Sequence, residues 1–364
     1  MRAFWTMRLL VAFNCMFFLF MVQVWPQSAT KKSSAEKKLF EAEDVLSITL
    51  RGNTRDLLND RTDTPKNFPL ILSYIKEGGE EITMPVNVKT RGHFRRQKAN
   101  CFYPPLLIQF PSEGKHLSSV FKEQKKLKLV MPCRDDEYII REWLVYKLYN
   151  LVTPESFKAR LVKLTLEDPQ NRKPVSPFYG IFLEETSLMA KRNKLITVDR
   201  RLRSEQVQPD AFLNMAVFEY LIGNTDWSVP YLHNIKLLAK DSLATPTTIP
   251  YDFDHSGIVN CSYAFPAELL QLSSVRQRRF RGYCVEDMKV FGVVIARYLS
   301  LKKDIYSLYT DCPLLDAKYI KSTVRYLDEF YTTINNPKLW QKEFGYPCTK
   351  NGTWNVVIKG LRED

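Results

Sequence analysis

The chain has 364 residues, 45% of them apolar and 13% aromatic, which supports a sizeable buried core and excludes intrinsic disorder as the default state. Its net charge of +13 favours acidic or phosphate-bearing partners. The basic residues are nevertheless scattered, without aromatic interleaving or a nucleic-acid-binding motif, so no specific nucleic-acid partner is expected.

Residues 1–29 read as an export segment. Arg2 and Arg8 precede an uncharged run from Leu9 to Trp25, and Pro26-Gln27-Ser28-Ala29 then leads into Lys31 and Lys32. The run of seventeen residues is long for a signal peptide and just short of the ~20 that span a bilayer. Cleavage near Ser28 or Ala29 is expected; if retained, the segment would tie the chain to a membrane. Either way the chain is exported, as a secreted, periplasmic or outward-facing anchored protein, and disulfides persist in such compartments. Six cysteines lie beyond the run, Cys101, Cys133, Cys261, Cys284, Cys312 and Cys348. Six allow about fifteen connectivities, among which a local pair, Cys312 with Cys348, is the expectation. None shows the two-residue spacing of a zinc knuckle.

Residues 30–39 form a charged linker. From 40 to 185 the pattern is strand-rich, with candidates at Val45–Leu50, Phe68–Tyr74, Ile82–Thr90, Leu106–Phe110, Leu127–Met131, Lys158–Leu166 and Phe178–Leu183. One helix interrupts them, Glu137–Asn150, with an apolar stripe at Ile140, Leu144 and Leu148. Residues 186–364 are mostly helical, with candidates at Pro209–Ile222, Phe265–Leu272, Val285–Leu299, Leu301–Tyr309 and Ala317–Asn335, and a strand pair at Leu232–Leu238 and Thr247–Tyr251. The fold class is therefore α+β: a β-rich part with one helix, then a helical part.

The chemistry concentrates between Pro209 and Gly257. A helix with Pro209 in its first turn and Gly223 at its end delivers the chain to the polar loop GNTDWSVPY, which carries Asp226. A strand bearing Asn234, a turn in AKDSLATP, and a strand ending at Asp252, Asp254 and Gly257 follow. Pairing Asn234 opposite Asp252 centres the turn near Leu243, and places an amide oxygen and a carboxylate at the open end of the hairpin beside Asp226. Such hard oxygen donors, few enough to leave room for water and phosphate, suit Mg²⁺ (or Mn²⁺) better than zinc.

This order resembles the catalytic half of the kinase superfold, in which an Asp positions the attacking hydroxyl and an Asn and a second Asp hold metal on the phosphates. Asp226 and Asn234 are eight residues apart, against about five in the protein-kinase catalytic loop. N-x-D, then H-N, then P-Y-D-F-D is similar to the spore-coat kinase family CotH, with HipA-type and phosphoinositide kinases as more distant relatives. VKTRGHFRR (Val88 to Arg96) resembles that family's Arg-Gly strand and turn, REWLVYKLYN its Arg-bearing helix, and FYGIFLEE (Phe178 to Glu185) its hinge strand. The resemblance implies a bilobal kinase-like fold with a nucleotide lobe (40–185) and a catalytic lobe (186–364). It implies ATP as phosphoryl donor, Asp226 as catalytic residue, and metal at Asn234, Asp252 and Asp254. It also implies nucleotide binding by Glu142 and a cation, with Arg91 and Lys128 as candidates, and by Glu184 at the hinge. Where the family usually shows a lysine, the strand CFYPPLLIQF has none.

Rival readings use the same residues. Asp252 and Asp254 can be turn carboxylates and Asn234 a satisfied buried amide. YDFDHSG fits the nucleophile strand of haloacid-dehalogenase phosphatases, but that fold needs alternating strands and helices after the motif. His233 and His255 could serve a metal hydrolase, although histidines beside carboxylates are usually their hydrogen-bond partners. A kinase-shaped binding protein without activity is the remaining alternative. The basic run Arg276–Arg281 (RQRRFR) is a candidate for attracting an acidic protein or surface acceptor.

Overall fold

The structure, a computed structural model, describes residues 37–171 and 175–348. Residues 1–29, expected to be an export segment, most of the expected linker and the last sixteen residues lie outside the described residues. Among those described, no helix is long and apolar enough to cross a membrane.

Seven strands close into a barrel: β1 (Leu46–Gly52), β2 (Phe68–Ile75), β3 (Glu81–Thr90), β4 (Leu106–Gln109), β5 (Lys126–Val130), β6 (Ala159–Glu167) and β7 (Phe178–Leu183), in the order β1-β2-β3-β4-β5-β7-β6. β3 shows why these segments extend. Ile82, Met84, Val86, Val88 and Thr90 point inward while the residues between them face out, the period of two that a half-buried strand requires. All neighbours pair antiparallel except β1 and β6, which close the barrel in parallel, Leu46 opposite Val162. Inward side chains such as Leu50, Leu72, Val88, Leu106, Leu129 and Leu164 fill the interior. Short helix α1 (Thr54–Asn59) follows β1 and is capped by the Asn53 side chain.

Helix α2 (Glu137–Val152) precedes β6. It is buried nearly all round, because it packs both on β6 and β7 and on the helices that follow. Those are α3 (Thr186–Arg192), α4 (Pro209–Ile222), α5 (Phe291–Ser300), α6 (Lys302–Thr310), α7 (Ala317–Asn335) and α8 (Pro337–Phe344). A second hydrophobic core joins α2 and α4 to α5, α6, α7 and α8, and takes in Leu161 and Ile181 from the outer faces of β6 and β7. α4 starts with Pro209 and ends at Gly223 in the left-handed conformation (φ 68°), as its sequence predicts.

A three-stranded sheet lies within this second part, β10 (Thr247–Pro250), β9 (Ile235–Ala239) and β8 (Ile196–Val198), with β9 central. The expected hairpin is present but slipped by one residue. Ile235 pairs with Pro250 and Leu238 with Thr247, and Tyr251 N donates to Asn234 O at 3.0 Å, so Asn234 opposes Tyr251 and not Asp252. The turn sets this register: Asp241 Oδ1 accepts from both Leu243 N and Ala244 N at 2.9 Å.

Two expected helices differ. The 265–272 segment forms only a 3-10 turn at Glu268–Leu270, since Pro266 holds the chain extended before it and Gln271 leaves at positive φ. The helix expected from Val285 starts at Phe291, after Asp287 caps a short 3-10 turn through Lys289 N. The disulfides are Cys101–Cys133 and Cys284–Cys348, while Cys312 and Cys261 are free, which corrects the expected Cys312–Cys348 pair. Two such bonds are compatible with an extracellular protein.

Candidate functional site

A cleft of about 550 Å³ collects Asp226, His233, Asn234, Asp252, Asp254 and His255 on one side, and Arg91, His93, Phe94 and Arg95 of the 91–105 connection between β3 and β4 on the other.

Asp226 follows the α4 C-cap and is fixed from three directions. Its N–H donates to Asn224 Oδ1 (3.0 Å), its Oδ1 meets His233 Nε2 (2.6 Å), and its Oδ2 accepts from Asn234 Nδ2 (3.1 Å), which also donates to Asp226 O (2.8 Å). Burial lowers His233, but the bond to Asp226 and its charge outweigh this and hold the imidazole above its ordinary value. His233 is thus a partner of the carboxylate. Two acceptors fix which atom of the Asn234 amide is nitrogen, so Oδ1 is the atom left for a cation.

Backbone strain gathers at the same place. Leu232 (φ 51°), Asn234 (φ 53°) and Asp252 (φ 65°) all lie in the left-handed region without being glycine, a conformation that costs of order 1 kcal/mol or more per residue. These conformations break strand alternation at the hairpin's open end. Asn234 and Asp252 therefore reach one cleft although the slipped register would have set them apart.

Arg95 is the cation that the sequence reading missed. Only 8% exposed, its guanidinium approaches Asp254 Oδ2 (2.7 Å), Glu142 Oε2 (3.2 Å) and Asp252 Oδ1 (3.6 Å). Arg91 lines the cleft and acts on Asp252 electrostatically, but it is Arg95 that pairs with Glu142. Burial pushes Glu142 up to about 8 against the pull of Arg95. Burial also raises Asp254, yet Arg95 and His255 outweigh it and hold that carboxyl below the usual range. Asp254 is therefore committed to Arg95, whereas the Asp252 side chain remains 44% exposed. One turn along α2 from Glu142, Tyr146 offers its hydroxyl oxygen to Asp252 N (3.0 Å), so one helix face holds both Arg95 and the Asp252 backbone.

The connection carrying Arg91 and Arg95 is tied down by Arg61, which donates to Arg96 O (2.9 Å), Cys101 O (3.3 Å) and Phe102 O (2.7 Å), and by the Cys101–Cys133 disulfide.

Two further expected residues sit elsewhere. Lys128 is not among the residues lining the cleft, although it shares its strand face with Val130, which is. Burial and Arg91 pull Lys128 down to about 8. Glu184 spends its carboxylate on Arg192 (2.9 and 3.1 Å) and Lys158 N (3.0 Å), which fastens α3 to the start of β6. The basic run is largely internal as well: Arg276 and Arg278 stack on the Tyr326 ring at 4.0 and 3.5 Å, and Arg281 is buried. Only Arg279 of its arginines stands exposed.

Hard oxygens from Asp252 and Asn234, with room for water and phosphate, fit Mg²⁺. Among the described residues no group of three or more His, Cys, Asp or Glu converges as a metal site.

No protein-family model matches the sequence, and no curated protein matches it. Among solved structures the chain is similar to the Helicobacter pylori proinflammatory kinase CtkA at 11% identity and a TM-score of 0.40, over 68% of this chain and 92% of that one, a likeness too slight to assign a family.

Proposed function

We propose that this chain is an exported, bilobal, CotH-like kinase that transfers the γ-phosphoryl group of ATP to a hydroxyl of an acidic protein or surface acceptor. The observation that carries the reading is the meeting of Asp226, Asn234 and Asp252 in one cleft, from a loop and two strand ends, opposite Arg91 and Arg95.

Asp226 receives the acceptor hydroxyl. His233 and Asn234 orient its carboxylate, and the lone pairs they leave are those that take the hydroxyl proton. Asn234 Oδ1 and the open Asp252 carboxylate would hold Mg²⁺, which when bound neutralises charge on the phosphoryl oxygens. Arg91, which lines the cleft, would face the phosphates. Arg95 keeps Asp254 and Glu142 compensated, and so serves the cation role that the strand 101–110 leaves open by lacking lysine. Export rests on the 1–29 segment and the two disulfides, and the acidity of the acceptor on the +13 charge alone.

Radioactive-phosphate labelling and ATP–Mg²⁺ titration by calorimetry test the reading together. Asp226→Ala should abolish labelling while nucleotide still binds, and Asp252→Ala should abolish metal-dependent binding. A wild-type chain that shows no ATP–Mg²⁺ binding would leave a kinase-shaped binding protein instead.

A further inference from the structure

Arg281, 4% exposed, belongs to the segment that follows the Asp252–Gly257 turn, and its side chain reaches the Asp226 loop. It donates to Thr225 O at 3.0 Å and also to Trp227 O, the carbonyls of the two residues flanking Asp226. Its guanidinium carbon lies 4.4 Å from the centre of the Trp227 ring. One guanidinium nitrogen, Nη1, thus grips the backbone on both sides of the carboxylate while the planar group lies over the Trp227 ring, a combination for which an ammonium is a poorer substitute. Burial pulls Arg281 down to about 10, which leaves it charged at neutral pH.

The segment that carries Arg281 is itself fastened on both sides of that residue. Phe280 O accepts from the Tyr346 hydroxyl (2.8 Å), and the Phe280 ring packs on Phe344 with centroids 4.6 Å apart. Cys284 is bonded to Cys348, with Cα atoms 5.1 Å apart. Every one of these ties runs to residues 344–348.

We propose that Arg281 is a positioning residue for Asp226, and that the Cys284–Cys348 disulfide holds it there by fastening its segment to residues 344–348. Phosphoryl transfer then depends on this disulfide, whereas nucleotide binding, which uses Arg91, Asn234 and Asp252, does not. The consequence for transfer rests on the kinase reading of Asp226, so the test includes a readout that needs no activity.

Hydrogen exchange of amides 224–229 is compared in the full-length wild type, in Arg281→Lys and in the double variant Cys284→Ala/Cys348→Ala, alongside kcat and the Kd for ATP–Mg²⁺. Both variants should speed exchange in this loop by about tenfold or more while the rest of the chain keeps its protection. They should lower kcat by about tenfold or more, with Kd changed by less than about twofold. Unchanged exchange at 224–229 in both overturns the proposal, whatever the activity. Exchange that rises throughout the chain, with Kd and kcat worsening together, overturns it as well, because the role is then structural only. Should Arg281→Lys not fold, the cysteine variant decides by the same criteria. A wild type without transferase activity defeats the kinase reading, and the exchange data still decide the positioning.

Discussion

Three arginines stand within six residues in Arg91-Gly-His-Phe-Arg95-Arg96, and each ends in a different place. Arg91 lines the cleft, Arg96 pairs outward with Asp63 (2.5 Å), and Arg95 turns in to Glu142 and Asp254. The sequence shows the residue types and not the choice among them, because a 3-10 turn at Phe94–Arg96 decides which side chain faces inward. Asp226, Asn234 and Asp252 were legible because each is a polar residue at the end of a well-signalled element. Arg95→Met should cost ~3–5 kcal/mol in urea denaturation, since it strands the buried Asp254 carboxylate and leaves the buried Glu142 carboxyl without its partner. Adding Glu142→Gln should recover part of that loss; a cost below about 1 kcal/mol would remove Arg95 from its central place. Lys128 gives a pH signature. Its folded value of about 8 lies under its ordinary 10.5, so the unfolded chain binds more protons between those pH values and stability rises across that window. Lys128→Met should flatten the rise and add ~1–2 kcal/mol at pH 7, with the gain fading as pH climbs past 8. Equal pH slopes for the two proteins would contradict the burial of that ammonium.

At the level of elements, local signals were read well where they acted alone. Alternation in β3, and Pro209 with Gly223 at the ends of α4, needed no tertiary context. The hairpin register was missed by one residue, since a symmetric pairing argument cannot foresee that Asp241 pins the turn or that Asn234 and Asp252 leave strand geometry. The helix expected over 265–272 shrinks to a 3-10 turn because Pro266 disfavours helical backbone at the residue before it. Gly223 permits a sharper test. It combines φ 68° with close approach to the Tyr326 hydroxyl, which a Cβ would strike. Gly223→Ala should therefore destabilise by ~2 kcal/mol or more, beyond the ~1 kcal/mol of left-handed backbone alone, as read from the denaturation midpoint. A loss of only ~1 kcal/mol would show that Tyr326 moves aside at little cost.

On the scale of the whole molecule, the Cys101–Cys133 disulfide closes a loop of sequence separation 32, worth ~3–4 kcal/mol by chain entropy. Cys101→Ala/Cys133→Ala should lower Tm accordingly and weaken nucleotide binding, because the connection carrying Arg91 and Arg95 is then held chiefly by Arg61. An unchanged Tm would mean that Arg61 suffices. The helical and strand-rich parts were legible in outline, but barrel closure was not, because nothing near Leu46 in the chain announces Val162 as its neighbour. That closure has a consequence for biosynthesis. A chain emerging from the ribosome carries β1 with one open edge until β6 has been made, and this edge holds apolar Leu46, Ile48 and Leu50 in extended form. Nascent chains stalled before residue 159 should therefore bind holdase chaperones and resist folding.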